Sequence, residues 1–226
     1  MLKNILGTAG SRLVNALMSF GIVIIISHNL GAKGLGTIGL IMLAISLNQL
    51  LSSLVGGPSL VYFIPRLHIP SLYFLSFIWA IIISLIGTSS LHLFHLIPEN
   101  NSWHVLFLSL MLSIASANTM ILLGKERIGA FNALSVLQLF VLISVLFYQV
   151  KIVGNHSVWA YIVALYSSYA VFLVLSFISI LKYLSFSVST HLKALIKPIF
   201  RYGLLVQLAS IFQLLNYRLS YYLIGN

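Results

Sequence analysis

Polar side chains recur at helical spacing within otherwise apolar stretches of this sequence. Arg12, Asn15 and Ser19 follow one another at intervals of three and four residues, which places them on one face of a helix. Guanidinium and amide groups on such a face can hydrogen-bond phosphate or sugar oxygens. Three further stretches carry the same spacing: Asn48, Ser52 and Gly56; Ser109, Ser113 and Ser116; and Gln207, Ser210, Gln213 and Asn216.

These polar faces have two interpretations, and the residues alone leave both open. Small and hydroxyl-bearing residues allow helices to approach closely, and amides can hydrogen-bond across helices, so the faces suit simple helix packing. Amides on several helices can instead line one water-filled cavity. The cavity interpretation makes five amides candidate polar contacts for a substrate: Asn15, Asn48, Gln207, Gln213 and Asn216.

Three arginines are candidate cations for an anionic ligand. Arg12 begins the first polar face, Arg66 follows the second apolar stretch, and Arg218 lies within the last one. Arg12 and Arg66 equally suit a role as topology signals, and Arg218 equally suits a side chain that extends to the lipid headgroups. The glycines and proline of Gly56-Gly57-Pro58 interrupt the second stretch and predict a kink or hinge there.

The residues needed for catalysis, metal binding or cation coupling are scarce. The only acidic residues are Glu99 and Glu126, and both are predicted to lie in loops, whereas cation-coupled transporters normally need a carboxylate within the membrane. The chain has no cysteine, its seven histidines are dispersed, and it shows no set of nucleophile, base and orienting acid. We therefore expect a protein that is not an enzyme and has no cofactor or metal.

The elements that must position these residues are transmembrane helices. Of the 226 residues, 60% are hydrophobic and 6% are charged, and the mean hydropathy is +1.09. A soluble domain of this composition would expose large apolar patches, whereas a bilayer span needs about 20 apolar residues. The sequence predicts an all-α, polytopic transmembrane helix bundle. Its spans are predicted near residues 12–30, 37–65, 71–91, 103–123, 129–150, 156–181 and 199–224.

The distribution of basic residues predicts the orientation of these spans. Loops facing the cytoplasm hold most of the Lys and Arg in membrane proteins. With a cytoplasmic amino terminus, the opposite loops hold only Lys33 and Lys151. The cytoplasmic segments then hold Lys3, Arg12, Arg66, Lys125, Arg127, Lys182, Lys193, Lys197 and Arg201. These cations are spread along the chain without a dense basic face, so we expect no nucleic-acid binding despite the net charge of +10.

The order of the spans predicts three parts. Residues 1–184 form a first transmembrane lobe of about six helices, and residues 185–198 form a basic cytoplasmic linker. Residues 199–226 form the first helix of a second lobe, whose remaining helices are expected to come from a longer product or from another chain.

Five segments resemble one family of membrane proteins, and they span most of the chain. They are Ser11 to Phe20, Asn29 to Gly36, Gly56 to Arg66, Gly124 to Asn132, and Arg201 to Gly203 leading to Asn216 to Gly225. Their order and placement resemble the amino-terminal part of the polysaccharide flippases of the multidrug/oligosaccharidyl-lipid/polysaccharide exporter superfamily. Related sequences often carry an acid where this chain has Ser220, which leaves any charge partner of Arg218 in question.

The resemblance implies a bundle of two six-helix lobes that opens alternately to either side of the bacterial inner membrane. Its implied substrate is an undecaprenyl-diphosphate-linked oligosaccharide for cell-surface polysaccharides such as O-antigen. Expected partners are therefore this lipid-linked oligosaccharide, membrane lipids, and the second lobe or other polysaccharide-assembly proteins. Two alternatives remain: a multidrug or cation antiporter of the same superfamily, and a membrane enzyme or assembly subunit of polysaccharide biosynthesis.

Overall fold

The computed structural model describes residues 2–98, 100–184, 195–209 and 212, with the backbone alone for residues 2–4. This described part is built from α-helices and contains no β-strand, which confirms the predicted all-α class. The helices are α1 (Leu2–Gly56), α2 (Pro58–Phe63), α3 (Ile69–Leu93), α4 (Ser102–Gly124), α5 (Ile128–Lys151), α6 (Val158–Ile180) and α7 (195–209), with a 3₁₀ turn (Leu181–Tyr183) after α6.

In the part of the chain that the structure describes, five helices are long and apolar enough to cross a membrane. The chain is thus a multi-pass membrane protein. The first of the five, Ile5–Phe63, has 59 residues. At a rise of about 1.5 Å per residue this length is roughly three times the thickness of a bilayer core, so one straight crossing is excluded.

The chain reverses direction within α1, at Gly31. Gly31 has φ 67° and ψ −174°, a backbone conformation outside the helical region that residues with a side chain rarely adopt. Ile26, before this break, and Ile38, after it, belong to the same buried hydrophobic cluster. The two arms of α1 therefore pack together on either side of a turn at Gly31.

The neighbours of each arm establish the same reversal. The arm before Gly31 runs parallel to α5, because Asn132 Nδ2 donates to Thr8 Oγ1 and Asn15 Nδ2 donates to Ser135 Oγ. The arm after Gly31 runs parallel to α4, since Asn48 bonds to Ser109 and Gly56 lies against Ala117. Consecutive spans α4 and α5 are joined by a short loop and must cross in opposite directions. The two arms are therefore antiparallel, and residues 2–184 contain six helical segments that are each long enough to cross a membrane once.

Two hydrophobic clusters fill the bundle, one above the other. We call the end formed by turns 64–68, 125–127 and 181–184 the basic end. The opposite end is formed by Gly31 and by residues 94–98, 100–101 and 152–157. One cluster lies toward the opposite end and includes Ile41, Leu108, Leu146 and Leu165. The other lies toward the basic end and includes Leu60, Ile64, Ile121 and Ile180.

Helix α7 packs on the first lobe at the basic end. Ile199 is 1% exposed within the basic-end cluster, and the Phe200 ring lies edge-on to Trp79 with 4.6 Å between ring centres. Gly203 lies so close to the Leu54 carbonyl oxygen that a Cβ at this position would collide with it. Residues 195–198, predicted to end the linker, are already helical.

A reporter at four loop positions tests the six-crossing path. Fusions after Lys33 and Lys151 are expected to report one side of the membrane, and fusions after Arg66 and Arg127 the other, because the chain turns at Gly31. The activity of a periplasmic reporter and of a cytoplasmic reporter is measured at each position. If α1 crossed only once, Lys33 would no longer report the same side as Lys151.

Candidate functional site

A layer of buried polar side chains separates the two hydrophobic clusters, and Asn48 is at its centre. Asn48 is 0% exposed, and its amide nitrogen donates to Thr88 Oγ1 at 3.0 Å and to Ser109 Oγ at 3.1 Å. One turn away, Ser113 Oγ donates to Gln49 Oε1 at 3.1 Å. These bonds tie the second arm of α1 to α3 and α4.

The amide oxygen of Asn48 lies against Gly87 of α3. This oxygen is buried and has no hydrogen-bond partner in the described part of the chain. It occupies the space that a Cβ at Gly87 would need, so it faces the Gly87 Cα–H, which is a weak donor. Asn48 therefore needs a glycine opposite it. The predicted sugar contact of Asn48 stays a prediction, and it would require the bundle to open because Asn48 is buried.

Asn15 and Arg12 differ in their surroundings although they share one helix face. Asn15 is half-buried and bonds to Ser135 of α5 at 2.8 Å, while its amide oxygen is buried without a partner among the described residues. Arg12, one turn nearer the basic end, is exposed. Asn15 thus links two helices, and Arg12 is open to an external ligand.

The break predicted at Gly56-Gly57-Pro58 is present in the backbone. Helix α1 ends at Gly56, Gly57 has non-helical angles of φ −108° and ψ −132°, and Pro58 begins α2. The following turn is anchored, because Ser59 Oγ donates to the carbonyl oxygens of Leu54 and Val55 at 2.9 Å each. The break is therefore a fixed corner in this conformation, and its use as a hinge stays a prediction.

The remaining predicted contacts lie in α7 or beyond it. Gln207 faces the first lobe, where its amide nitrogen donates to the Leu50 carbonyl oxygen and its amide oxygen accepts from Ser53 Oγ, both at 3.4 Å. Gln213, Asn216 and Arg218 lie outside the described residues.

Arg66 is held in a stack of planar groups at the basic end. Its guanidinium lies 4.1 Å from the centre of the Tyr62 ring and donates a hydrogen bond to the Tyr62 carbonyl oxygen. The Tyr62 ring stacks on Tyr202 of α7 with 4.3 Å between centres and 17° between planes. Since one ring face cannot hold both partners, Tyr62 lies between Arg66 and Tyr202. The exposed Arg66 is thus fixed in position by α2 and α7.

A groove of about 600 Å³ opens beside this stack, between α2 and α7. Its cations are Lys197 and Arg201, which are exposed and lie one turn apart on α7. Its other walls are aromatic or apolar, and they consist of Tyr62, Phe63, Pro198, Tyr202 and Leu205. A volume of this size is within the usual range of small-molecule sites, about 300–1,000 Å³.

A second group of cations at the basic end is arranged around Tyr183. Arg127 Nε donates to the Tyr183 hydroxyl at 3.3 Å. The Lys182 and Lys125 ammonium groups lie 5.0 and 5.8 Å from the centre of the same ring. These contacts join the loop between α4 and α5 to the end of α6, so this group has a structural explanation.

The sequence predicted Arg66 but not the aromatic residues or the α7 cations beside it. Tyr62 and Arg66 are four residues apart, as are Lys197 and Arg201, and this spacing places each pair on one helix face. The stack with Tyr202 joins residues far apart in the chain, which spacing alone does not reveal. No group of three or more His, Asp or Glu comes together in the described part of the chain.

Comparison of the chain with known protein families, curated proteins and solved structures gives no match. The resemblance to the polysaccharide flippases therefore stays a hypothesis.

The contact between Asn48 and Gly87 can be tested by substituting glycines. Gly87→Ala is expected to destabilise the folded bundle by about 1–3 kcal/mol, because the new methyl group overlaps the Asn48 amide. Gly39→Ala is the matched control, since an added Cβ there meets nothing within 4 Å. The control should be neutral or stabilising, as Ala favours a helix over Gly by about 0.5–1 kcal/mol. Thermal unfolding in detergent measures both.

A double-mutant cycle separates this overlap from a general effect at Gly87. In an Asn48→Ala background the colliding amide is gone, so Gly87→Ala should lose most of its cost. If Gly87→Ala cost the same in both backgrounds, or no more than Gly39→Ala, the close contact would not be the cause.

Proposed function

We propose that this chain is part of an exporter that moves a diphosphate-linked lipid oligosaccharide across the bacterial inner membrane, with its amino terminus in the cytoplasm. The observation that carries the proposal is the exposed, cationic end of a transmembrane bundle that contains almost no acid. Its supporting sequence feature is the resemblance to polysaccharide flippases.

The charge balance requires anions from outside the chain. There are twelve Lys and Arg but only two acidic residues, so the carboxylates of the chain can neutralise at most two of its cations. In the described residues, Arg12, Arg66, Lys197 and Arg201 are exposed at or near the basic end. At a membrane surface such residues attract anionic headgroups, at about 1 kcal/mol for each Lys or Arg.

The substrate class follows from where the cations and the apolar surface lie. A lipid-linked diphosphate presents a charged group at the membrane surface and a hydrocarbon chain that can remain in the bilayer. Arg66 suits this group, because a guanidinium can hold two phosphate oxygens at once and the stack on Tyr62 fixes its orientation. No covalent chemistry is needed to move such a substrate.

The polar layer supplies a route for the sugar when the bundle opens. Asn48 donates hydrogen bonds to Thr88 and to Ser109 inside the bundle. The same amide and hydroxyl groups can bond sugar hydroxyls once helices separate, so the polar groups keep a partner in both states. An antiporter is disfavoured because neither Glu99 nor Glu126 lies within a described span.

Arg12 provides the test of the proposed export. Arg12→Ala, expressed from the native locus, should lower export about tenfold or more at normal membrane abundance if the guanidinium binds phosphate. Arg12→Lys should keep part of the activity, because an ammonium retains the charge but loses the planar pair of donors. Export is measured as polysaccharide at the cell surface, together with lipid-linked oligosaccharide that accumulates inside.

Lys3→Ala is the control for a purely topological role, because it removes a predicted cytoplasmic cation from the same segment. It should leave export unchanged. Normal export by Arg12→Ala at normal abundance would remove Arg12 from the substrate site, and equal losses in Arg12→Ala and Lys3→Ala would indicate a topology signal.

A further inference from the structure

The groove between α2 and α7 combines a cationic wall with an apolar wall. One wall carries Lys197 and Arg201, whose four-residue spacing brings their Cβ atoms to about 5–6 Å of each other. The facing wall carries Phe63, and Leu205 extends the apolar lining one turn further along α7. A ligand that fills it needs an anionic group at one end and hydrocarbon at the other.

The cations of the groove differ from those around Tyr183 in what they contact. Arg127, Lys125 and Lys182 all lie against the Tyr183 ring or its hydroxyl. Within the described residues, Lys197 and Arg201 contact neither a ring nor a carboxylate. Both residues line the groove, whereas the donors around Tyr183 already serve the structure.

The floor of the groove is rigid enough to hold a ligand in one place. Tyr62 lies between Arg66 and Tyr202, and Ile199 on the same helix is buried in the basic-end cluster. Gly203 presses α7 against the Leu54 carbonyl oxygen. Lys197 and Arg201 thus project from a helix that is fixed to the first lobe between them, at Ile199, and after them, at Gly203.

We propose that this groove binds the phosphate group of a membrane lipid, with Lys197 and Arg201 bonding the phosphate oxygens and Phe63 and Leu205 contacting the hydrocarbon. The lipid can be a resident anionic phospholipid or the diphosphate-linked substrate, since both present phosphate on a hydrocarbon chain. In the second case the groove is the cytoplasmic phosphate site of the proposed exporter and rests on that function. Lipid binding to the groove can be measured on the purified chain, independently of export.

Native mass spectrometry of the purified full chain tests the groove with four ligands. Phosphatidic acid and diacylglycerol with the same tails differ only in the phosphate group, and a polyprenyl diphosphate represents the substrate lipid. Inorganic pyrophosphate carries phosphate without hydrocarbon. Phosphatidic acid and the polyprenyl diphosphate should bind at least about tenfold more tightly than diacylglycerol and pyrophosphate. Only these two ligands contact both the cationic wall and the apolar wall.

Three double variants locate the binding. K197Q/R201Q should weaken binding of both phosphate lipids about tenfold or more, because it removes two charged donors. K125Q/K182Q is matched in charge at the same end of the bundle and should bind as the unmodified chain does. K197R/R201K keeps both charges and should also retain binding. Thermal unfolding of K197Q/R201Q shows whether that variant is still folded.

The outcomes distinguish a failure of the proposed lipid site from a failure of the proposed export function. Tighter binding of the polyprenyl diphosphate than of phosphatidic acid supports a substrate site, and equal binding supports a resident phospholipid site without supporting export. Equal loss in K197Q/R201Q and K125Q/K182Q would show attraction to overall charge and overturn the groove. Pyrophosphate binding as tight as that of the lipids would overturn the part played by the apolar wall.

Discussion

A polar group inside a bilayer must find its hydrogen-bond partner within the protein, and this requirement determines how the bundle is assembled. The amide nitrogen of Asn48 meets it by joining three helices, because it donates to Thr88 and to Ser109. Its amide oxygen fits only because Gly87 has no side chain. The hydrophobic clusters on either side of this layer need only matching shapes, whereas the layer fixes which residue of α1 lies opposite which residue of α3 and α4.

The sequence predicted the all-α class and the break at Gly56-Gly57-Pro58, because each depends on local signals. The division into a six-helix first lobe and a second lobe stays a prediction. Hydropathy over about 20 residues reveals a span, and glycine next to proline ends a helix. The spacing of Asn48 showed that it lies on a polar face but not what it bonds to, since Thr88 and Ser109 are 40 and 61 residues away. The tyrosine stack between α2 and α7 escaped prediction for the same reason: it depends on how distant helices pack.

Charged and uncharged polar residues therefore lie at different depths in the helix bundle. Uncharged amides and hydroxyls lie within the bundle, where each bond between helices contributes on average about 0.6 kcal/mol and specifies register more than stability. Among the residues that the structure describes, guanidinium and ammonium groups lie toward the ends of the bundle, and a charge at the bilayer centre would cost several kcal/mol. Asn15 and Arg12 show the transition within one turn of one helix, from a side chain bonded to Ser135 to one that is exposed.

Topology and ligand binding use the same residue types but depend on different properties of them. The orientation of a membrane protein depends on how many cations lie on each side, so any lysine can replace another. Binding of one phosphate depends on placement, because exposed charges are screened beyond about 8–10 Å at physiological salt. The cations around Tyr183 contact that ring. Arg12 has no second Lys or Arg three or four residues away on its helix. Lys197 and Arg201 are one helical turn apart beside an aromatic floor, so the two charges are close enough for both to act on a single phosphate group.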